Sequence, residues 1–296
     1  MTVVTLASLK GSPGVTTAAT ALGASWPAGR RVLLVEADPF GGDLAPRFGS
    51  TSARGMASLF AAARRSLSPD AVWDHVEHLP GGLPVLFGLS GAAGAVANEK
   101  AWPAVAAALG ALEADVVVDA GRLLPNFAGG VADVLTPSDV LVILCHPTLE
   151  GIVHLRAALP ALVSELRGRP LLVVPAGSGG YSGAEIGSTL GVAVGPPMPD
   201  DRKAADALAN KCALKHLERT ALLKWAAALI GALGVEAVAT EQVGREEPAP
   251  IEVDESGAQA APVDVETQAP SDETLSSEQV HNAVTVGAGS DGKAQT

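Results

Sequence analysis

Residues 2–17, TVVTLASLKGSPGVTT, decide how the rest of the chain is read. The first seven form a β-branched, apolar run, which predicts a buried strand over 2–8. A loop holding Gly11 and Gly14 follows, and then an Ala-rich stretch that predicts a helix over 16–25. A strand that enters a helix through such a turn makes an anion site. Glycine lets the backbone come close to a phosphate, and the free amides at the helix N-terminus point at it. A hydroxyl in the first helical turn, here Thr16, is placed to ligate Mg²⁺. Against the phosphate-loop pattern G-x-x-x-x-G-K-[ST], Gly14 and Thr16 fit, Leu9 stands at the first glycine and Val15 stands at the lysine. On this segment alone, a glycine-bearing turn with no ligand explains the residues as well.

Outward from the loop, short apolar runs alternate with helical spacing. Strands are predicted over 31–37 (RVLLVEA), 83–87 (LPVLF), 115–120 (DVVVDA), 140–145 (VLVILC) and 171–175 (LLVVP). Helices are predicted over 104–113 and 149–167, and one or two more over 201–233. Short continuous apolar strands separated by helices mean an α/β fold, a mostly parallel sheet with helices on both faces. Aromatics are 3% of the 296 residues, so the core must be built mainly from Ala, Val and Leu.

The acidity belongs to one end. Residues 241–296 hold twelve Asp/Glu against two Lys/Arg, so the tail carries −10 of the formal net charge of −12. It has no aromatic residue and no sustained apolar period, and cannot bury enough surface to offset its ordering entropy. The expectation is a domain over 1–240 and a disordered acidic tail over 241–296, either solubilising or an interaction arm. Cys145 and Cys212 sit in apolar or helical surroundings and read as small hydrophobes in a reducing compartment. No apolar run of about eighteen residues is present. No basic region precedes a long apolar stretch in MTVVTLASLKG. The expectation is therefore a cytoplasmic protein with no membrane insertion.

Residues 10–17, KGSPGVTT, resemble the deviant Walker A loop of the ParA/MinD family of P-loop ATPases, KGGxGKTT. Three further segments follow in the family's order. Residues 31–49, RVLLVEADPFGGDLAPRFG, resemble the second strand and switch region, KVLLIDxDPxxGxL. Residues 116–121, VVVDAG, resemble the Walker B strand. Residues 198–208, MPDDRKAADAL, resemble the late IPxDxxVxEAL segment near the base-binding edge. The resemblance spans roughly 2–235 and implies ATP and Mg²⁺ as cofactors. It places the nucleotide on Lys10, Gly11, Ser12, Gly14, Val15, Thr16 and Thr17. Lys10 falls on the signature lysine that reaches the partner subunit's nucleotide, so a homodimer formed on nucleotide binding is implied. Asp38 falls on the carboxylate that positions the attacking water. The metal would be held by Thr16, Asp38 and Asp119, the last through water. The implied role is a nucleotide-dependent switch in chromosome or plasmid partitioning or intracellular positioning, acting with a partner protein or cargo.

Departures from the pattern bear on turnover. A loop lysine supplies a charge-assisted hydrogen bond of about 1.5–3 kcal/mol, so its absence predicts a roughly ten- to a hundred-fold loss of affinity and impaired phosphoryl transfer. Pro13 removes one amide from the cradle, and Ser12 replaces a glycine. Residues 175–180, PAGSGG, lack the Asn that reads the adenine edge in many relatives. Glu36 and Asp43 read as structural or solvated, and His146 as a capped strand-end residue. His75, His78 and His154 show no metal spacing. Lys211, Lys215 and Arg219 share one helix face by their i, i+4, i+8 spacing, which suits either a solvated surface or non-specific DNA binding. The acidic C-terminus is unlike the basic amphipathic helix that anchors MinD-like relatives to membranes. Two alternatives stay open: a non-hydrolysing scaffold resembling the TadZ/CpaE group, for pilus, secretion or polar assembly, and a metabolic ligase resembling dethiobiotin synthetase, which the missing lysine disfavours.

Overall fold

The computed structural model describes residues 1–123, 131–209 and 218–236. The elements run β1 (Val3–Ser8), α1 (Val15–Ala24), β2 (Val32–Glu36), α2 (Leu44–Arg47), α3 (Met56–Ala63), β3 (Glu77–His78), β4 (Pro84–Leu86), α4 (Ala92–Ala97) and α5 (Trp102–Gly110). They continue with β5 (Asp115–Arg122), α6 (Val131–Leu135), β6 (Val140–Cys145), α7 (Leu149–Leu166), β7 (Leu171–Pro175), α8 (Gly183–Leu190), β8 (Ala193–Val194), α9 (Arg202–Ala209) and α10 (Ala221–Ala232). The strands form one eight-stranded sheet in the order β3-β4-β2-β5-β1-β6-β7-β8. All neighbours are parallel except β3, which pairs antiparallel with β4 at one edge.

Alternation within the strands sorts side chains to the two faces. Val4, Leu6, Leu34, Val117 and Val142 pack with Ala18 and Leu22 of α1 and Leu222 and Leu229 of α10. On the other face Leu33, Val35, Val116 and Val118 meet Leu59 and Phe60 of α3 and Val105 and Leu109 of α5. Ala7, Leu141, Ile143 and Val173 of that face meet Leu155 and Leu162 of α7 and Ile186 of α8. Both faces are thus covered, as the continuous apolar runs predict. The central strands β1 and β5 pair in register from Val3 with Val116 to Leu6 with Asp119. That register brings the end of the first strand, where the glycine loop begins, alongside Asp119.

The opposite end of the sheet is fastened by Asp115. Its carboxylate accepts from Arg30 Nε (2.6 Å) and Nη2 (2.7 Å), Trp26 Nε1 (2.8 Å) and the Thr2 amide (2.7 Å). Burial pushes the Asp115 pKa up, but the Arg30, Trp26 and Thr2 donors outweigh it and hold it below the usual carboxylate range.

The predicted strands and long helices are present, two strands (140–145 and 171–175) with the predicted bounds and the others shifted by one to three residues at their ends. The segment over 201–233 holds two helices, α9 and α10. The short elements α2, α3, α4, α6, α8, β3 and β8 were not predicted. One had a signal: Ser182 and Glu185 form a capping box at the start of α8, each side chain bonded to the other's amide. Lys211, Lys215, Cys212 and the tail over 241–296 lie outside the described residues. Among the described residues, no helix is long and apolar enough to cross a membrane.

Candidate functional site

The loop between β1 and α1 turns on two glycines in the left-handed region, Gly11 (φ 75°) and Gly14 (φ 91°), where a side chain is strained. Gly14 is also the N-cap of α1, and its carbonyl accepts from the Ala18 amide at 2.8 Å. Lys10, Gly11 and Ser12 are exposed, and Thr16 and Thr17 are half-buried at the helix start. Val15 behaves differently from a loop lysine. Its side chain is 6% exposed and belongs to the core cluster beneath α1, so this position contributes backbone to the loop and no polar side chain. Lys10 points away from the loop toward α7, where Nζ lies 2.8 Å from His154 Nε2. An ammonium can only donate, so His154 Nε2 accepts and the ring is neutral in this arrangement.

Across from the loop, three carboxylates converge at the ends of β2 and β5. Asp119 is fully buried; Oδ1 accepts from the Gly121 amide at 3.0 Å, while Oδ2 has no hydrogen-bond partner. Burial raises the Asp119 pKa to about 7, against the Thr16 hydroxyl and the Gly121 amide and with help from the charges of Glu36 and Asp38. Asp38 is half-buried, its Oδ1 accepting from the Phe40 amide at 2.8 Å. Burial raises its pKa too, opposed by that amide and reinforced by Asp43. The Asp38 carboxyl lies against Gly121 (φ 55°), where any Cβ would collide with it.

Glu36 is structural, in agreement with the sequence reading. Oε1 accepts from the amides of Asp43 (2.7 Å) and Leu44 (2.9 Å), and Oε2 from that of Gly88 (2.9 Å). It ties the turn after Asp38 to the end of β4, and a Cβ on Gly42 or Gly88 would press on its carboxyl. Burial raises its pKa, and the three amides oppose the shift. Asp43 pairs with Arg47 at the surface, 2.9 Å apart.

Beside the loop opens a cleft of about 430 Å³, walled by Ser12, Gly14, Thr17, His146, Gly177 and Met198. The late segment forms its far side: Met198 bridges Ala176, and the Gly177 amide donates to the Met198 carbonyl at 3.1 Å. Asp201 stands at the start of α9 and ties it to α10, accepting from the amides of Ala204 (3.1 Å) and Leu222 (3.3 Å). A larger cavity, about 710 Å³, is lined by Trp26, Arg30, Arg31, Trp73 and His78, at the strands' other end and remote from the loop.

The fold therefore brings together the loop over 10–17, Asp38 and Asp119, and sets Thr16 near the Asp119 carboxyl. It turns Lys10 outward and buries Val15. Arg219 is exposed. His146 follows the end of β6, as the sequence reading has it, with Nδ1 on the Ala176 carbonyl, and its side chain also lines the cleft. The sign was its place just past β6, at the strand ends where parallel sheets bind ligands.

No family model matches the sequence, and no curated protein matches it. Solved structures do match in fold. A ParA family ATPase from Chlorobium tepidum TLS superposes with a TM-score of 0.62 at 20% identity, over 76% of this chain and 96% of that one. The Cyanothece McdA–ATP complex gives 0.59 at 18% identity, over 80% and 98%. The septum site-determining protein MinD of Pyrococcus horikoshii OT3, complexed with Mg-ADP, gives 0.60 at 15%, over 78% and 95%. The chain has the ParA/MinD fold.

Proposed function

We propose that this protein is a nucleotide-dependent switch of the ParA/MinD kind, which binds ATP with Mg²⁺ at the loop over 10–17 and turns it over slowly. One observation carries the reading: Asp119 Oδ2 is buried without a partner, and the Thr16 hydroxyl is near enough to lower the pKa of the same carboxyl. A buried unpaired carboxylate oxygen is costly unless a cation or donor meets it. A hydroxyl and a carboxylate at the mouth of a phosphate loop are the donor set Mg²⁺ takes. The ATP and Mg-ADP of the structurally similar McdA and MinD support the same assignment.

In this reading the amides of Gly11 and Gly14 and the start of α1 hold the phosphates. Thr16 and Asp119 would hold the metal, and Asp38 would orient a water toward the terminal phosphate. Mg²⁺ would neutralise phosphate charge there and restore a low pKa to Asp119. Dimerisation follows nucleotide binding, with Lys10 leaving His154 to reach the partner's nucleotide. Lys211, Lys215 and Arg219 give a weak non-specific grip on DNA, and a cargo or partner protein is positioned in the cytoplasm. Isothermal titration with ATP, with and without Mg²⁺, tests the core of this. Micromolar or millimolar binding that strengthens with Mg²⁺ is expected, and absence of binding under both conditions ends the reading.

Burial of Val15 favours a second reading in one respect. With its side chain in the core the loop lacks the cation that stabilises phosphoryl transfer. A scaffold of the TadZ/CpaE kind would bind nucleotide and never hydrolyse it. A phosphate-release assay run beside the titration separates the two: measurable turnover that disappears in D38A supports the switch, and binding without turnover supports the scaffold. A gel-shift series in salt, repeated with Lys211→Glu and Lys215→Glu, tests the DNA surface.

A further inference from the structure

His146 is placed where the loop lacks a cation. Its ring lies over Gly11, so that a Cβ there would be 3.3 Å from Cδ2 and 3.6 Å from Nε2, and Gly177 backs the Nδ1 edge with a Cβ position 3.8 Å away. Nδ1 lies 3.1 Å from the Ala176 carbonyl. A carbonyl only accepts, so Nδ1 is the donor in this contact and its proton is committed there. The backbone beneath is fixed, because the His146 carbonyl accepts from the Thr148 amide at 2.8 Å and Gly151 packs directly on that carbonyl. The side chain is exposed and lines both the cleft by the loop and a smaller pocket of about 170 Å³ on its other side.

The charges around it leave it a distinct role. On the α7 side, Lys10 is engaged with His154, and Glu150 lines the same pocket. On the α9 side, Asp200 and Asp201 line the cleft, and Arg202 is drawn to Asp200 at 3.5 Å. Cys145, the residue before His146, is buried. A polyphosphate entering the cleft beside Ser12 and Gly14 thus meets Asp200, Asp201, the paired Arg202 and the His146 ring.

Resting on the nucleotide reading above, we propose that His146 stands in for the loop lysine. It binds phosphate as an imidazolium, donating Nε2–H to a phosphate oxygen while Nδ1–H stays on Ala176. Nitrogen Nε2 takes one proton from solvent as ATP binds, so binding is coupled to proton uptake and is tighter at lower pH. No covalent step is involved.

The experiment is ATP titration of the full chain in EDTA at pH 6 and pH 8, in two buffers of different ionisation enthalpy, for the wild type, H146Q and H146K. EDTA removes the opposing effect of metal on Asp119, and the difference between proteins cancels the titration of ATP itself. Circular dichroism melts confirm that each variant folds. The wild type is expected to bind about tenfold more tightly at pH 6 than H146Q does, with proton uptake that H146Q lacks. H146K should bind tightly at both pH values. Equal affinities and equal proton uptake in wild type and H146Q overturn the assignment while leaving the nucleotide reading intact. No ATP binding by the wild type, with or without Mg²⁺, overturns both.

Discussion

The two halves of the candidate site are built to different standards. On the carboxylate side, Glu36 and Asp119 are buried and Asp38 is half-buried, and glycines 42, 88 and 121 leave room for the oxygens of Glu36 and Asp38 and little else. On the loop side, Val15 has been absorbed into the core, Pro13 lacks an amide hydrogen and Lys10 rests on the surface against His154. The carboxylates stand under tight steric constraint, while position 15 of the loop offers no side-chain cation. Under the function proposed above, sensing nucleotide would depend on the first half more than on the second.

The sharpest way to break this contrast is at Gly121. G121A places a methyl group on the Asp38 carboxyl in a left-handed backbone, and should cost about 3 kcal/mol in a thermal or urea melt. Adding D38A should return more than half of that, because the collision partner is removed. Next comes D119N. The folded Asp119 carboxyl is raised to about 7, above its unfolded value near 3.9. The native state then retains a proton that the unfolded chain has lost. Ligand-free stability is therefore full below about pH 4 and falls as pH rises to about 7. D119N should flatten that slope, stabilise the apo protein at pH 8 by about 2 kcal/mol, and abolish any Mg²⁺ dependence of ATP binding. An unchanged pH profile would mean the carboxyl is solvated after all.

The loop side is probed by V15K. A long side chain can leave the core and extend its ammonium toward the cradle. ATP affinity should rise about tenfold or more, with phosphate release following, and a loss of folding without any gain in binding would show that the position is purely a packing site. The smallest effect is expected from H154A. Its contact with Lys10 is exposed, so the melting temperature should not move measurably, and a clear drop would mean that the pair is part of the fold.

The doubly covered parallel sheet was legible because its strands are continuous apolar runs, and 140–145 matched the observed strand end to end. Asp119 and Asp38 stand out in the sequence because each closes such an apolar run, and the fold brings the two carboxyls near each other. What escaped reading were contacts made across large sequence separations. Nothing near Val15 in the chain tells that its side chain is taken up by the core. Nothing near His146 tells that its ring lies over Gly11, which is 135 positions earlier in the numbering. The short helices α3 and α4 escaped because they lack a local start signal: Gly55 and Gly91, at their N-caps, offer no side-chain cap.

Glu36 and its two glycines also bear on how such a chain can change over generations. Giving Gly42 or Gly88 a side chain first jams it against the carboxylate, and removing Glu36 first strands three amides that the carboxylate now satisfies. Neither order of single steps is easily passable, so the glutamate at the end of the second strand and the glycines 6 and 52 positions later should change together or not at all.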